Sequence, residues 1–168
     1  MGALPPVTAT SDSPARTRAL GAALASHLQP GDVVLLSGEL GAGKTVLVQG
    51  IANGLGVDEP ATSPTFALVH EHRGTDLRLL HADAWRLTSP EDAVELALAE
   101  EVDDGRTALV VEWGELAAAA LPGDHLCVVL HPGPGDDDRT LELFLEGPSW
   151  EARRHRLLVG LPPAGGPG

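Results

Sequence analysis

The residues most able to do chemistry in this 168-residue chain form one glycine-rich run that ends in lysine and threonine. The run matches the pattern G-x-x-x-x-G-K-[ST] at every defined position and reads Gly38-Glu39-Leu40-Gly41-Ala42-Gly43-Lys44-Thr45. Glycines adopt backbone dihedrals that other residues avoid, so successive N–H groups can point into one cavity and hold phosphate. The run therefore predicts a site for a nucleoside di- or triphosphate, and the alternative is an ordinary glycine-rich turn.

Lys44 is the only lysine in the chain, whereas the other ten basic residues are arginines. In the predicted site, Lys44 would bridge the β- and γ-phosphates as a compact point charge, and the Thr45 hydroxyl would bind Mg²⁺. The position of the only lysine inside the motif strengthens this interpretation. It also excludes a GTPase of the Ras type, because the base-reading motif N-K-x-D needs a second lysine.

Two carboxylates follow apolar runs that are typical of buried strands. Asp83 comes after Leu79-Leu80-His81-Ala82, and Glu112 comes after Leu109-Val110-Val111. Because ligands bind beyond the carboxyl ends of strands in open parallel sheets, we expect both acids near the phosphates. They are candidates for supporting the metal and the attacking water, and the alternative for each is a solvated carboxylate at a strand end.

An aromatic residue and a short polar segment belong to the same predicted site. Trp113 follows Glu112 directly and is a candidate for stacking on a nucleotide base, the alternative being an ordinary core or surface aromatic. The segment before the next strand contains Ser63, Pro64, Thr65 and Phe66. In some folds with a phosphate-binding glycine-rich loop (P-loop folds), this region senses the γ-phosphate, and the alternative is an ordinary turn.

The elements that must position these residues follow from apolar runs and from glycine and proline. Residues 32–37 contain the continuous apolar run Val33-Val34-Leu35-Leu36, which is typical of a strand covered on both faces, and residues 45–55 are expected to form a helix. Further strands are predicted over residues 66–71, 77–81, 107–111, 125–131 and 140–145, with helices beginning near Pro14 and Ser89 and covering 115–121 and 150–159. This alternation predicts a three-layer α/β domain with a mixed, mainly parallel central sheet, and the glycine-rich run makes it a P-loop NTPase fold.

Length and composition limit the domain organisation and the function classes. We expect a flexible N-terminus over residues 1–10, one domain over 11–160 and a disordered tail over 161–168. The net charge of -13 argues against autonomous binding to DNA, RNA or an anionic membrane. Cys127 is the only cysteine, which excludes an intramolecular disulfide or a cysteine-based metal site. We expect neither a signal peptide nor a membrane span, and a cytoplasmic location.

Four blocks of residues occur in an order that is more specific than the glycine-rich run alone. They are residues 38–45, Ser63-Pro64-Thr65-Phe66, His81-Ala82-Asp83-Ala84-Trp85-Arg86-Leu87 and Val111-Glu112-Trp113. This ordered set resembles the TsaE family of bacterial ATPases in tRNA threonylcarbamoyladenosine biosynthesis, over residues from about 10 to 146.

The resemblance implies a small P-loop domain that hydrolyses ATP slowly and works with the partner proteins TsaB and TsaD. Contact with tRNA would then be only indirect, through the complex. It implies that residues 39–45 bind ATP, with Thr45 on Mg²⁺. It also implies that Asp83 is the metal-linked acid and that Glu112 supports hydrolysis. Trp113 would lie near the nucleotide, and residues 63–66 would be a switch segment.

Two other functions remain open on the sequence. One is a P-loop kinase that phosphorylates a small metabolite, and the other is a nucleotide-dependent protein-binding module in which hydrolysis is incidental.

Overall fold

The computed structural model describes residues 4–39, 41–58, 69–83, 98–112 and 123–162. The elements in this part of the chain are, in order, β1 (Val7–Ser11), α1 (Pro14–Ala25), β2 (Val33–Ser37), α2 (Lys44–Gly54), β3 (Val69–Arg73), β4 (Arg78–Asp83), α3 (Leu98–Val102), β5 (Thr107–Glu112), β6 (His125–Pro132), β7 (Arg139–Glu146), α4 (Pro148–Glu151) and α5 (Arg154–Gly160).

The seven strands of the described residues form one sheet in the order β1-β7-β6-β2-β5-β4-β3. The four central strands, β6, β2, β5 and β4, are mutually parallel. Antiparallel pairs complete the sheet at both edges, where β7 and β1 continue from β6 and β3 pairs with β4. The prediction of an α/β fold with a mixed sheet is confirmed. Its parallel centre places the carboxyl ends of β2, β4, β5 and β6 at one edge.

Both faces of the central strands are buried, which explains their continuous apolar sequences. Val33 and Val34 of β2 point to opposite faces, as do Leu109 and Val110 of β5, and none of the four is exposed to solvent. Helices α1 and α2 contribute to the core on one face. They approach each other so closely that a Cβ on Gly21 would collide with the backbone of α2.

The N-terminal region differs from the sequence-based expectation, because residues 7–10 belong to an edge strand. β1 pairs antiparallel with β7, with Val7 opposite Leu143 and Ser11 opposite Arg139. Val7 and Ala9 are buried, whereas Thr8 between them is exposed. This two-residue alternation gives β1 one apolar face, and the free edge of β7 supplies its hydrogen-bond partners.

The C-terminal helix predicted over residues 150–159 is divided into α4 and α5 at Arg153. The guanidinium of Arg153 turns into the protein and donates to both carboxylate oxygens of Asp32, at 2.6 and 2.8 Å. It also lies 3.9 Å from the centre of the Trp150 ring and donates to the carbonyl of His27. This buried ion pair fixes the segment of α4 and α5 to the loop before β2.

Several other expectations fall at or beyond the limits of the described residues. Leu161, assigned to the tail from the sequence, packs against the hydrophobic core, and residues 163–168 lie outside the description. The helix start near Ser89 and the helix over residues 115–121 also lie outside it. In the part of the chain that the structure describes, no helix is both long and apolar enough to cross a bilayer.

We predict that Arg153→Ala destabilises the fold by about 3–5 kcal/mol, because it leaves the Asp32 carboxylate buried without its ion-pair partner. Equilibrium unfolding in urea measures this loss. Arg154→Ala is the matched control, since Arg154 pairs with Glu151 near the surface and its loss should cost less than about 1 kcal/mol. Equal destabilisation by the two variants would contradict the role given to Arg153.

Candidate functional site

The glycine-rich loop, residues 38–45, joins β2 to α2 at the carboxyl edge of the parallel strands. Gly38, Gly41 and Gly43 all have positive φ, at 150°, 81° and 99°. A Cβ on Gly38 would lie 2.8 Å from the carbonyl oxygen of Leu130, so this position has no room for a side chain. The loop therefore depends on glycine both for its backbone conformation and for its close approach to β6.

The loop ends by opening the N-terminus of α2. Gly43 is the N-cap residue in the left-handed region, and no side chain caps the helix. The N–H groups of the first turn are consequently available to an anion, which the positive end of the helix dipole attracts.

Lys44 is buried within the loop, with 5% of its surface exposed. Its Nζ donates hydrogen bonds to the carbonyl oxygens of Gly38, at 2.6 Å, and Glu39, at 2.9 Å. The ammonium group thus lies among the loop residues themselves, next to the open end of α2.

A chain of hydrogen bonds connects the loop to the sheet. The Thr45 hydroxyl donates to Oε1 of Glu112 at 2.9 Å, and Oε2 of Glu112 lies 2.7 Å from Nε2 of His81. His81 is fully buried, and Glu112 is 3% exposed. One carboxylate at the end of β5 therefore joins the first turn of α2 to β4.

The environment of Glu112 favours its ionised form. Burial acts to raise the pKa of the carboxyl group, but the hydrogen bond and charge of His81 oppose it, together with the Thr45 hydroxyl and the Lys44 charge. The net effect lowers the pKa of Glu112 below its ordinary value. Nδ1 of His81 has no hydrogen-bond partner among the described residues, and Nε2 is the ring nitrogen that donates to the ionised carboxylate.

Asp83 lies beside Glu112 in the sheet. The two residues are paired in register on the parallel strands β4 and β5, so their side chains share one face. Asp83 is half-buried, whereas Glu112 is buried. The structure therefore brings both predicted acids to the edge that carries the glycine-rich loop, and the contact with Thr45 belongs to Glu112.

The described residues include part of the predicted site. Those brought together are Glu39, Gly41, Ala42, Gly43, Lys44, Thr45, Asp83 and Glu112. Those outside the description are Leu40, Trp113 and the segment Ser63, Pro64, Thr65 and Phe66.

Sequence reasoning did not assign a role to two residues that contact the site. His81 carried a recognisable signal, since it lies two residues before Asp83 on a strand and so shares its face. Arg139 carried none, because it lies 94 positions after Thr45 in the chain. The Arg139 guanidinium donates to the carbonyl oxygens of Ala42, at 2.9 Å, and Gly41, at 3.0 Å.

We predict that His81→Leu raises the pKa of Glu112, because burial of the carboxyl group remains while its main opposing hydrogen bond is lost. A titration of labelled glutamate side chains by NMR measures the change. His131→Leu is the control, since His131 also faces a glutamate, Glu142, but nearly half of its side chain is exposed. An unchanged Glu112 pKa in the His81 variant would show that the pair does not control ionisation.

Comparisons with known proteins identify the family of the chain. The family model described as "Threonylcarbamoyl adenosine biosynthesis protein TsaE" matches residues 11–141. Proteins named "tRNA threonylcarbamoyladenosine biosynthesis protein TsaE" are similar over most of the chain. The one from Bacillus subtilis is 36% identical over 139 residues, which are 83% of this chain and 85% of that protein. The one from Streptomyces coelicolor is 45% identical over 121 residues, covering 71% and 81%.

The fold is similar to a solved structure. The crystal structure of YdiB from Bacillus subtilis matches with a TM-score of 0.78 and 29% sequence identity, covering 94% of this chain and 97% of that one. With the family model, these relatives show that the chain belongs to the TsaE family of tRNA threonylcarbamoyladenosine biosynthesis proteins.

Proposed function

We propose that this protein binds Mg-ATP at the glycine-rich loop and hydrolyses it slowly, as the ATPase subunit of the complex that forms threonylcarbamoyladenosine next to the anticodon of tRNA. One observation carries the ATPase proposal, the hydrogen bond from Thr45 to Glu112 at the first turn of α2. In P-loop nucleoside triphosphatases, a loop Ser or Thr and a strand-end acid hold Mg²⁺ beside the β- and γ-phosphates.

The loop fits a phosphate chain on three counts. Gly38 has no space for a Cβ, the first turn of α2 has no side-chain cap, and Lys44 places its charge inside the loop. The main-chain N–H groups of residues 39–45 would hold the phosphate oxygens. The Lys44 ammonium would then donate to the phosphate oxygens instead of to the carbonyl oxygens of Gly38 and Glu39.

The site also fits Mg²⁺, which uses one or two protein oxygens and completes its coordination with phosphates and water. Among the described residues there is no cluster of three or more His, Cys, Asp or Glu that could hold a metal ion by itself. Thr45, Glu112 and Asp83 are oxygen donors at one edge of the sheet, which suits a metal that arrives with the nucleotide. When bound, Mg²⁺ neutralises charge that develops on the phosphate oxygens.

We assign the two acids in the opposite order to that implied by the family resemblance. Glu112 is the metal-linked acid, since it is ionised, buried and bonded to the Thr45 hydroxyl. Asp83 is half-buried on the neighbouring strand and is the group that orients the attacking water. Trp113 and the segment 63–66 keep their predicted roles, beside the nucleotide and as its switch.

The names of the relatives support the part of the proposal that concerns tRNA threonylcarbamoyladenosine biosynthesis. With a net charge of -13, this chain is poorly suited to hold tRNA by itself, so its contact with tRNA runs through TsaB and TsaD in the cytoplasm. ATP binding and hydrolysis here would then reset the partners between cycles of tRNA modification.

We predict slow ATP hydrolysis by the purified protein and faster turnover when TsaB and TsaD are added.

Lys44→Ala should weaken ATP binding about 100-fold or more, because charge-assisted contacts to phosphate are lost. Isothermal titration and phosphate release measure the two effects. Arg106→Ala is the control, since Arg106 is an exposed cation at the amino-terminal end of β5, away from the loop.

Three outcomes would contradict this function. Unchanged ATP affinity in the Lys44 variant would remove the nucleotide site from the loop. ATP-dependent phosphorylation of a small metabolite would indicate a kinase, and ATP binding that alters partner affinity without any turnover would indicate a binding module.

We predict that Glu112→Gln lowers turnover about 100-fold, equivalent to ~2.7 kcal/mol of activation free energy, and removes most of the gain in ATP affinity that Mg²⁺ provides. Asp83→Asn should lower turnover while it leaves the Mg²⁺-dependent gain in affinity largely intact. ATP titrations with and without Mg²⁺ separate the two roles. The reverse pattern would return the metal-linked position to Asp83.

A further inference from the structure

Two cations hold the glycine-rich loop by its carbonyl groups, and they bond different carbonyls. Lys44 bonds the carbonyls of Gly38 and Glu39, and Arg139 bonds those of Gly41 and Ala42. Lys44 belongs to the loop itself, whereas Arg139 is the first residue of β7. The second half of the loop is therefore anchored to a part of the sheet outside the loop and α2.

The Arg139 guanidinium is itself fixed on its other side. Its Nη1 donates to the carbonyl oxygens of Asp136, at 2.8 Å, and Asp138, at 2.7 Å. These residues belong to the β6–β7 turn, residues 133–138, which is closed by the bond from the Gly133 N–H to the Asp138 carbonyl at 2.8 Å. Arg139 thus forms a rigid connection between a closed turn and the loop.

The connection requires the planar fork of arginine. Nε and Nη2 lie on one edge of the guanidinium and reach two consecutive carbonyls, while Nη1 reaches the turn. A lysine would keep the charge, but its single flexible ammonium could not hold this set of acceptors in one geometry. Arg139 also forms no ion pair with a carboxylate among the described residues, so its hydrogen bonds go to main-chain carbonyls.

We propose that Arg139 is a positioning residue that joins the glycine-rich loop to the β6–β7 turn and keeps the loop formed before nucleotide binds and while Lys44 turns to the phosphates. The effect on nucleotide binding rests on the proposed function, whereas the effect on the loop does not. Once Lys44 transfers hydrogen bonds to phosphate, the carbonyls of Gly41 and Ala42 still keep their partner. A preformed loop lowers the ordering cost of binding.

The experiment compares Arg139→Lys and Arg139→Gln with the wild-type protein and with Arg78→Lys. Arg78 is a matched control because it is also half-buried and hydrogen-bonded, to Thr107 and Glu101, but at the amino-terminal end of β4. The first readout is hydrogen exchange of the Ala42 amide without nucleotide, since this N–H donates to the Glu39 carbonyl within the loop. The second is the affinity for Mg-ATP by isothermal titration.

We expect Ala42 exchange at least about tenfold faster in both Arg139 variants, and ATP affinity about tenfold weaker, equivalent to ~1.4 kcal/mol. Arg78→Lys should change neither readout more than about twofold. Wild-type exchange in both Arg139 variants would overturn the proposal. Wild-type behaviour of Arg139→Lys alone would also overturn it, since charge rather than geometry would then suffice.

The two readouts distinguish failure of this inference from failure of the proposed function. Faster Ala42 exchange with unchanged ATP affinity would overturn the claim that the connection serves nucleotide binding. If the wild-type protein bound no nucleotide, the proposed function would fail, while faster exchange in the Arg139 variants would still support the role of Arg139 in holding the loop.

Discussion

A carboxylate that is removed from water must be supplied with hydrogen-bond donors by the protein, and the carboxylate of Glu112 imposes this constraint on the whole site. Its two oxygens are met by the hydroxyl of Thr45 from α2 and by the imidazole of His81 from β4. The three elements α2, β4 and β5, which are distant in sequence, are thereby held together at the carboxyl edge of the sheet. The same contacts lower the pKa of the carboxyl group despite its burial.

Charge is distributed unevenly in this acidic chain. Although the net charge of the chain is -13, two cations, Lys44 and Arg139, and the uncapped N-terminus of α2 lie at the glycine-rich loop. Their positions differ in kind. Lys44 is part of the loop and bonds its first carbonyls, whereas the guanidinium of Arg139 joins the later carbonyls of the loop to those of the β6–β7 turn. In the function and the inference proposed above, Lys44 binds the phosphates and Arg139 holds the loop.

Both ends of the described chain take part in the domain for physical reasons that differ. β1 adds to the sheet because the edge of β7 offers main-chain partners and because Val7 and Ala9 alternate with polar residues. The C-terminal helices are held by the buried pair of Arg153 and Asp32, beside Trp150. The first contact was not predicted because the N-terminal sequence is short and rich in proline and threonine. The contact of Arg153 with Asp32 was not predicted either, because the local sequence has an ordinary helical pattern and Asp32 lies 121 positions earlier.

The sequence by itself determined the parallel centre of the sheet, the strand–loop–helix unit around residues 38–45 and the two acids at strand ends, because local apolar runs, glycines and strand periodicity encode them. It could not determine which acid contacts Thr45, since Asp83 and Glu112 occupy equivalent places at the ends of β4 and β5. That choice depends on the strand order, which places β5 directly beside β2 and β4 one strand farther away. Only the tertiary structure brought Arg139 to the loop and Arg153 to Asp32, because contacts across about a hundred residues arise from the packing of whole elements and leave no periodic signal in the chain.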